Sequence, residues 1–265
     1  GWSREEKTNL AKDEQSNRES SKVLKKKKKI TPVTYINSAA DLKAFCGEHG
    51  GIVCTSTNAP KILDWSFKQR EKVLFFPDQN LGRWSGHKMG IPLAQMPIWD
   101  PDQPQGGLTV DEIKNAKILL WKGHCAVHQM FRLQNIEHFR KLHPNGQVIS
   151  HPEAPFEVCL NSDFVGSTEY ILKTVTDAAP NTKWLVGTEL NLVTRLAEQM
   201  KPQGKHVQFM SHVVCECSTM ARIDPQHLAW TLENLAEGNI VNQIKVPKHE
   251  AELAKLTLER MLAAS

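Results

Sequence analysis

The sequence predicts an α/β protein built from two homologous three-layer α/β/α domains with C-terminal helices. Three observations predict it. From Thr31 onward, short apolar runs alternate with amphipathic stretches, the pattern of strands and helices around a parallel sheet. That pattern occurs twice. After Cys217 the texture becomes helical alone.

Residues 1–30 are rich in Lys, Glu, Ser and Asn and poor in aromatics. So little apolar surface cannot offset the entropy of ordering, and a disordered basic tail is predicted there. Lys25 to Lys29 are five consecutive lysines whose charge outweighs the whole net charge of +4. The rest of the chain is near neutral, so no nucleic-acid partner is expected. The tail has charges throughout and no apolar segment of a secretory signal, and no stretch approaches the ~18 apolar residues of a membrane span. A cytoplasmic protein without a membrane partner is the expectation. The chain starts with Gly rather than Met, which points to a truncated or miscalled beginning.

The first repeat, residues 31–128, opens with Val33 to Leu63: a strand, a helix ending near Cys46, a second strand, then a small polar turn, Thr55-Ser56-Thr57. The second, residues 129–218, opens with Val148 to Leu172 in the same order, with Cys159 and the turn Gly166-Ser167-Thr168. The strand from Lys72 leading to Asp78 and Asn80 then parallels the strand from Lys183 leading to Glu189 and Asn191. Ser56 and Ser167 lie 111 positions apart, and so do Asn80 and Asn191. Equal offsets at separate landmarks mark a true repeat. Each copy ends in a cysteine after an apolar strand: Ile118 to Trp121 before Cys125, and Val213-Val214 before Cys215 and Cys217. Cys125 and Cys217 are only 92 apart, because the first copy has a Pro/Gly-rich insertion around Asp100 to Gly107. Helices fill 219–265. Asp224-Pro225 starts one and Gly238 stops it, and a last helix from about Pro247 to Leu262 carries a stripe of Leu253, Leu258, Met261 and Leu262.

Ligands of α/β domains bind beyond the carboxyl ends of the strands. Tyr35, Asn37, Ser56, Asn58, Asp78, Asn80, His128, His151, Glu153, Ser167, Thr168 and Glu189 fall at such ends. Ser56 and Ser167 read first as helix N-caps, and their turns also offer backbone N–H groups to an anion. His151-Pro152-Glu153 follows a strand directly and could provide acid–base groups or form an exposed loop. Cys125 and His128, three residues apart after a buried strand, suit metal ligation, a primed nucleophile or plain burial. The six cysteines include no C-x-x-C pair, so burial, ligation or catalysis remains open for each.

Taken in order, these motifs resemble quinolinate synthase from about Thr31 to the C-terminus. They are Tyr35-Ile-Asn37-Ser38-Ala39, Cys54-Thr55-Ser56-Thr57-Asn58-Ala59, Phe76-Pro77-Asp78-Gln79-Asn80-Leu81-Gly82 and Trp121-Lys-Gly-His-Cys125-Ala-Val-His128. His151-Pro152-Glu153, Asp163-Phe-Val-Gly-Ser167-Thr168, Val186-Gly187-Thr188-Glu189 and Cys217-Ser-Thr-Met220 complete the series. The resemblance implies three homologous domains around a pseudo-threefold axis, each giving one cysteine to a [4Fe–4S] cluster. Here the matching ligands are Cys125 and Cys217; the first domain and its cysteine have no counterpart in this chain. It further implies Glu153, Tyr35 and His128 as catalytic groups, and Asn37, Ser56, His151, Ser167 and Thr168 as substrate contacts. The implied reaction is a transferase chemistry of NAD biosynthesis, condensing iminoaspartate with dihydroxyacetone phosphate into quinolinate, phosphate and water. An L-aspartate-oxidising enzyme is the implied protein partner.

Two ligands where the family uses three make the activity of a truncated chain doubtful. The competing expectation is a non-catalytic remnant that binds an anion or a protein partner.

Overall fold

The structure, a computed structural model, describes residues 29–213, 217 and 219–265. The chain divides into two compact units: one runs to Gly123 and recruits His249–Ser265, and the other is His124–Lys248.

In chain order the first unit contains β1 (Ile30–Tyr35), α1 (Ala40–Glu48), β2 (Ile52–Cys54), α2 (Ala59–Gln69), β3 (Lys72–Phe76), α3 (Gln79–Lys88), β4 (Ile98–Trp99), α4 (Val110–Asn115) and β5 (Ile118–Trp121). The second contains α5 (Leu133–Leu142), β6 (Gln147–Ser150), α6 (Phe156–Asn161), β7 (Phe164–Val165), α7 (Thr168–Asp177), β8 (Lys183–Gly187), α8 (Leu190–Met200), β9 (His206–Phe209) and α9 (Pro225–Ala236). The last helix, α10 (Lys248–Ala264), packs back on the first unit.

Both sheets are wholly parallel, ordered β2-β1-β3-β5-β4 and β7-β6-β8-β9. The second order reproduces the first four positions of the first, so the sequence repeat is a repeat of topology. The extra edge strand β4 runs directly into the Pro/Gly-rich insertion. Gly106 there has φ +68, and a Cβ would stand 2.3 Å from the Trp99 ring, so only glycine fits. Strands buried on both faces need near-continuous apolar runs. Val73, Phe75, Ile118 and Leu120 belong to the first core, and Ile149, Trp184 and Val186 to the second.

Several expectations need correction. The disordered tail expected over residues 1–30 falls almost wholly on residues outside those described, but strand β1 already starts at Ile30, which pairs with Lys72. The strand expected at Val213-Val214 lies earlier. β9 ends at Phe209, and the Ser211 hydroxyl donates to the Val213 carbonyl and accepts from its N–H, a local turn. Val213 is exposed, and Val214 and Cys215 lie outside the described residues. On α10 the buried face is Ala254, Thr257 and Met261, while Leu262 of the expected stripe is exposed. The start of α9 is as expected: Asp224 accepts from the His227 N–H at 2.7 Å, Pro225 opens the helix, and Gly238 takes φ +81 after it.

Asp78 and Glu189, read as ligand candidates, are N-caps. Their carboxylates accept from the Leu81 and Leu192 N–H groups at 2.7 and 3.0 Å. Ser167 caps α7, accepting from the Tyr170 N–H. Ser56 does not cap α2: Asn58 holds the cap position, and Thr55 and Asn58 exchange side-chain-to-backbone hydrogen bonds. The equivalence of the two serines therefore does not extend to their local bonding.

Candidate functional site

In the second unit the chain leaves β6 towards β7 on one side and towards β8 on the other, so the crevice beyond β6 and β8 is a topological switch point. His151 is the first residue past β6, and its N–H still continues the ladder to the Gly187 carbonyl at 2.8 Å. A turn follows, closed by the Ala154 N–H donating to the His151 carbonyl, with Pro152 fixing its second position. The turn projects Glu153 beside the His151 ring. Cys159, buried in α6, donates its thiol to the His151 and Ala154 carbonyls at 3.7 and 3.6 Å and pins the turn from behind. Cys159 and Cys46 are thus packing residues within helices, as their matched positions suggested.

His128 reaches the same place from the short 3-10 turn His128–Met130 that precedes α5. Its ring stacks on that of His151, centroids 4.8 Å apart, and rests against the edge of Phe131, which in turn meets Phe209 at the end of β9. One oxygen of Glu153 lies 3.2 Å from Nδ1 of His151 and 3.6 Å from Nδ1 of His128. All three side chains are buried. Neither ring nitrogen of His128 has a hydrogen-bond partner among the described residues, an arrangement that costs about 1–3 kcal/mol per unsatisfied group.

Burial sets the charge state. It lowers the pKa values of His128 and His151 to about 4, with the neighbouring imidazole adding to the effect at His128. The same desolvation raises Glu153 above the usual carboxylate range, against a weaker opposing pull from His128. The contacts among the three are therefore those of uncharged imidazoles with a carboxyl group reluctant to ionise, rather than salt bridges. Such a trio offers a carboxyl group of raised pKa and two neutral imidazoles for proton transfer.

The remaining candidates stand as follows. Ser167 is buried and Thr168 exposed, at the start of α7 in the same unit. Cys125 and Cys217 also belong to this unit; both are half-buried and neither is in a disulfide. Cys217 is acidified, first by the Thr219 hydroxyl 3.0 Å from its sulfur and then by backbone N–H groups of Met220 and Thr219. Thr219 was not singled out from the sequence; a hydroxyl residue two positions after a cysteine was the available signal. Tyr35, buried at the end of β1, Asn37, exposed just beyond it, and half-buried Ser56 after β2 lie in the first unit. No helix among the described residues is long and apolar enough to cross a membrane.

A thiolate-held iron–sulfur cluster fits this donor set. Cys125 and Cys217 are thiols rather than disulfide halves, and the contacts around Cys217 stabilise the thiolate that such iron requires.

Comparison with known proteins agrees with these features. A sequence model of the family described as NadA, quinolinate synthetase A protein, matches residues 8–263. Quinolinate synthase of Rhodopirellula baltica is 52% identical over 235 residues, covering 88% of this chain and 59% of that protein. Those of Streptomyces coelicolor and Anoxybacillus flavithermus are 50% and 47% identical over 88% of this chain, covering 60% and 63% of their own lengths. The chain thus spans about six-tenths of the length of the curated relatives it matches. A family match over nearly the whole chain, at half identity to its named members, makes the chain a member of the quinolinate synthetase A family.

Proposed function

We propose that this chain supplies two domains of a quinolinate synthase, which condenses iminoaspartate with dihydroxyacetone phosphate to give quinolinate, phosphate and water in NAD biosynthesis. The observation that carries the reading is the buried trio of His128, His151 and Glu153 at the carboxyl end of β6. The condensation needs proton transfers and the binding of anionic substrates, and this trio combines a carboxyl group of raised pKa with two neutral imidazoles.

In this reading Glu153 moves protons to and from the substrate, its carboxyl held above the usual carboxylate range by burial. Its Oε2 is held by contacts with the two imidazoles. His128 hydrogen-bonds the substrate through ring nitrogens that have no hydrogen-bond partner among the described residues, and His151 orients Glu153 while lining the same crevice. Ser167 and the exposed Thr168 at the N-terminus of α7 hold a phosphate or carboxylate. Tyr35 as a proton-transfer group, with Asn37 and Ser56 as substrate contacts, completes the assignment on the first unit. Cys125 and Cys217 are two ligands of a [4Fe–4S] cluster, which when bound supplies an electrophilic iron for the leaving hydroxyl. The third ligand would come from the part of the relatives that this chain does not match. An enzyme that oxidises L-aspartate remains the proposed protein partner.

The test is anaerobic reconstitution with iron and sulfide, followed by assay with iminoaspartate and dihydroxyacetone phosphate. The chain alone is expected to turn over far below ~1 per second, the low end of typical enzymes. Adding the unmatched domain of a relative should restore the brown chromophore and quinolinate formation together. Failure to restore either would favour the non-catalytic remnant.

A further inference from the structure

We propose that the apolar face of α9 is the seat of a third α/β/α unit resembling the other two, which packs on α9 as the second unit packs on α5. The inference rests on the reading above, that this chain supplies two domains of a larger enzyme.

The repeat carries the proposal, because it continues past both cysteines. A 3-10 turn begins three residues after Cys125, at His128, and α5 begins eight residues after Cys125, at Leu133. A 3-10 turn likewise begins three residues after Cys217, at Met220, and α9 begins eight residues after Cys217, at Pro225. The two helices are therefore equivalent elements, yet their surroundings differ. α5 belongs to the unit that follows Cys125 and buries Ile136 and Phe139 there. Arg140 fastens it by donating to the Asn161 carbonyl at 3.0 Å and to Asp163 at 2.9 Å. α9 has no buried residue. Leu228 and Ile136 both stand eleven residues past their cysteine, but Leu228 is 52% exposed. Leu232 and Leu235 are 57% and 49% exposed. Thr231 stands where Phe139 does in α5, so the second contact moves on by one position, to Leu232.

These three leucines recur at the i, i+4, i+7 spacing of a helix face that another element covers. A helix of 12 residues without tertiary packing is marginal in water, so α9 gains most of its stability from whatever lies on that face. Its equivalent, α5, is covered by an α/β/α unit, and the same local architecture calls for the same kind of cover. The relatives have the length to provide it. The chain covers 59%, 60% and 63% of three of them. If six-tenths of such a protein holds two units, the remaining four-tenths has room for a third of the same size.

The test is hydrogen exchange with peptide mass spectrometry across residues 225–236, in the chain alone and in a chimera. The chimera restores, at its own place, the segment of the Rhodopirellula baltica protein that this chain does not match. Amides of α9 are expected to exchange at least about tenfold more slowly in the chimera. Leu228→Asp/Leu232→Asp should abolish that protection and lower the melting temperature of the chimera, while the melting temperature of the chain alone stays unchanged. Glu233→Gln, off the leucine stripe, should alter neither. Equal exchange in chain and chimera overturns the proposal. So does protection already present in the chain alone that rises with concentration alongside dimer in sedimentation, since a second copy would then be the occupant. If circular dichroism shows the chimera unfolded, the aligned peptide of the intact Rhodopirellula baltica protein is read instead, and rapid exchange there overturns the proposal equally. Quinolinate formation is assayed separately. Turnover with α9 unprotected sinks the docking alone, and protection without turnover sinks the enzyme reading alone.

Discussion

Gly47 lies so close to the backbone of Leu253 that a Cβ at residue 47 would stand 2.3 Å from the Leu253 carbonyl oxygen. That approach seats α10 against α1, more than 200 residues away in sequence. It is reinforced by Arg260 donating to the Gly51 carbonyl at 2.9 Å and by Thr257 contacting the Lys43 carbonyl at 3.4 Å. The core of the first unit accordingly includes Met261.

Gly47→Ala is expected to push α10 off its seat and destabilise the first unit by about 1–3 kcal/mol, the usual cost of overpacking. Thermal denaturation reads this directly. An unchanged melting temperature would mean that the helix docks some other way.

Asp78→Ala and Glu189→Ala remove matched caps from α3 and α8. Loss of a cap carboxylate typically costs on the order of 1 kcal/mol. Chemical denaturation of each variant should show a loss of that size, whereas residues that served ligands alone would leave stability unaltered.

Cys217 should alkylate well before Cys46. The Thr219 hydroxyl and nearby N–H groups favour its thiolate, while burial pushes the Cys46 thiol upward and hides it. In a Cys215→Ala background, iodoacetamide labelling followed by peptide mass spectrometry should find Cys217 modified well before Cys46. Thr219→Val should slow it. Equal rates at the two cysteines would contradict the assignment.

Acid should unfold the second unit through its buried histidines. The folded pKa values of about 4 lie below the unfolded value of 6.5, so between those limits the unfolded chain binds more protons. The contribution of the histidines to stability is present above pH ~6.5 and is lost as pH falls towards 4. Glu153 acts in the opposite sense, since its raised pKa means that the folded state keeps a proton the unfolded chain releases. His151→Gln should therefore flatten the fall in stability between pH 6.5 and 4. A pH profile identical to wild type would refute the neutral-imidazole picture.

Glu153→Gln, made in an intact enzyme that includes the domain unmatched here, should leave the cluster chromophore in place while quinolinate formation drops by about 100-fold or more, the scale of general acid–base catalysis. Parallel loss of the chromophore would instead point to a structural role.

The repeat, the parallel α/β class and the three residues of the buried trio were legible in the chain itself. Strand periodicity, equal spacing of landmarks and a Pro-stiffened turn after a strand are local properties, and local properties are written in order along a sequence. Asp224-Pro225 declared its helix start for the same reason. What needed the tertiary structure was every decision made by a distant neighbour. Asp78 and Glu189 looked like ligands until the helices they cap were in place. Val213 looked like strand because it is apolar, yet a serine side chain two residues earlier takes its backbone bonds. The last helix looked like part of a separate C-terminal region, and the close approach that Gly47 permits, with the bonds of Arg260 and Thr257, seats it on the first unit. The neutrality of His128 and His151 likewise follows from exclusion of water by packed side chains, which no spacing of letters can express.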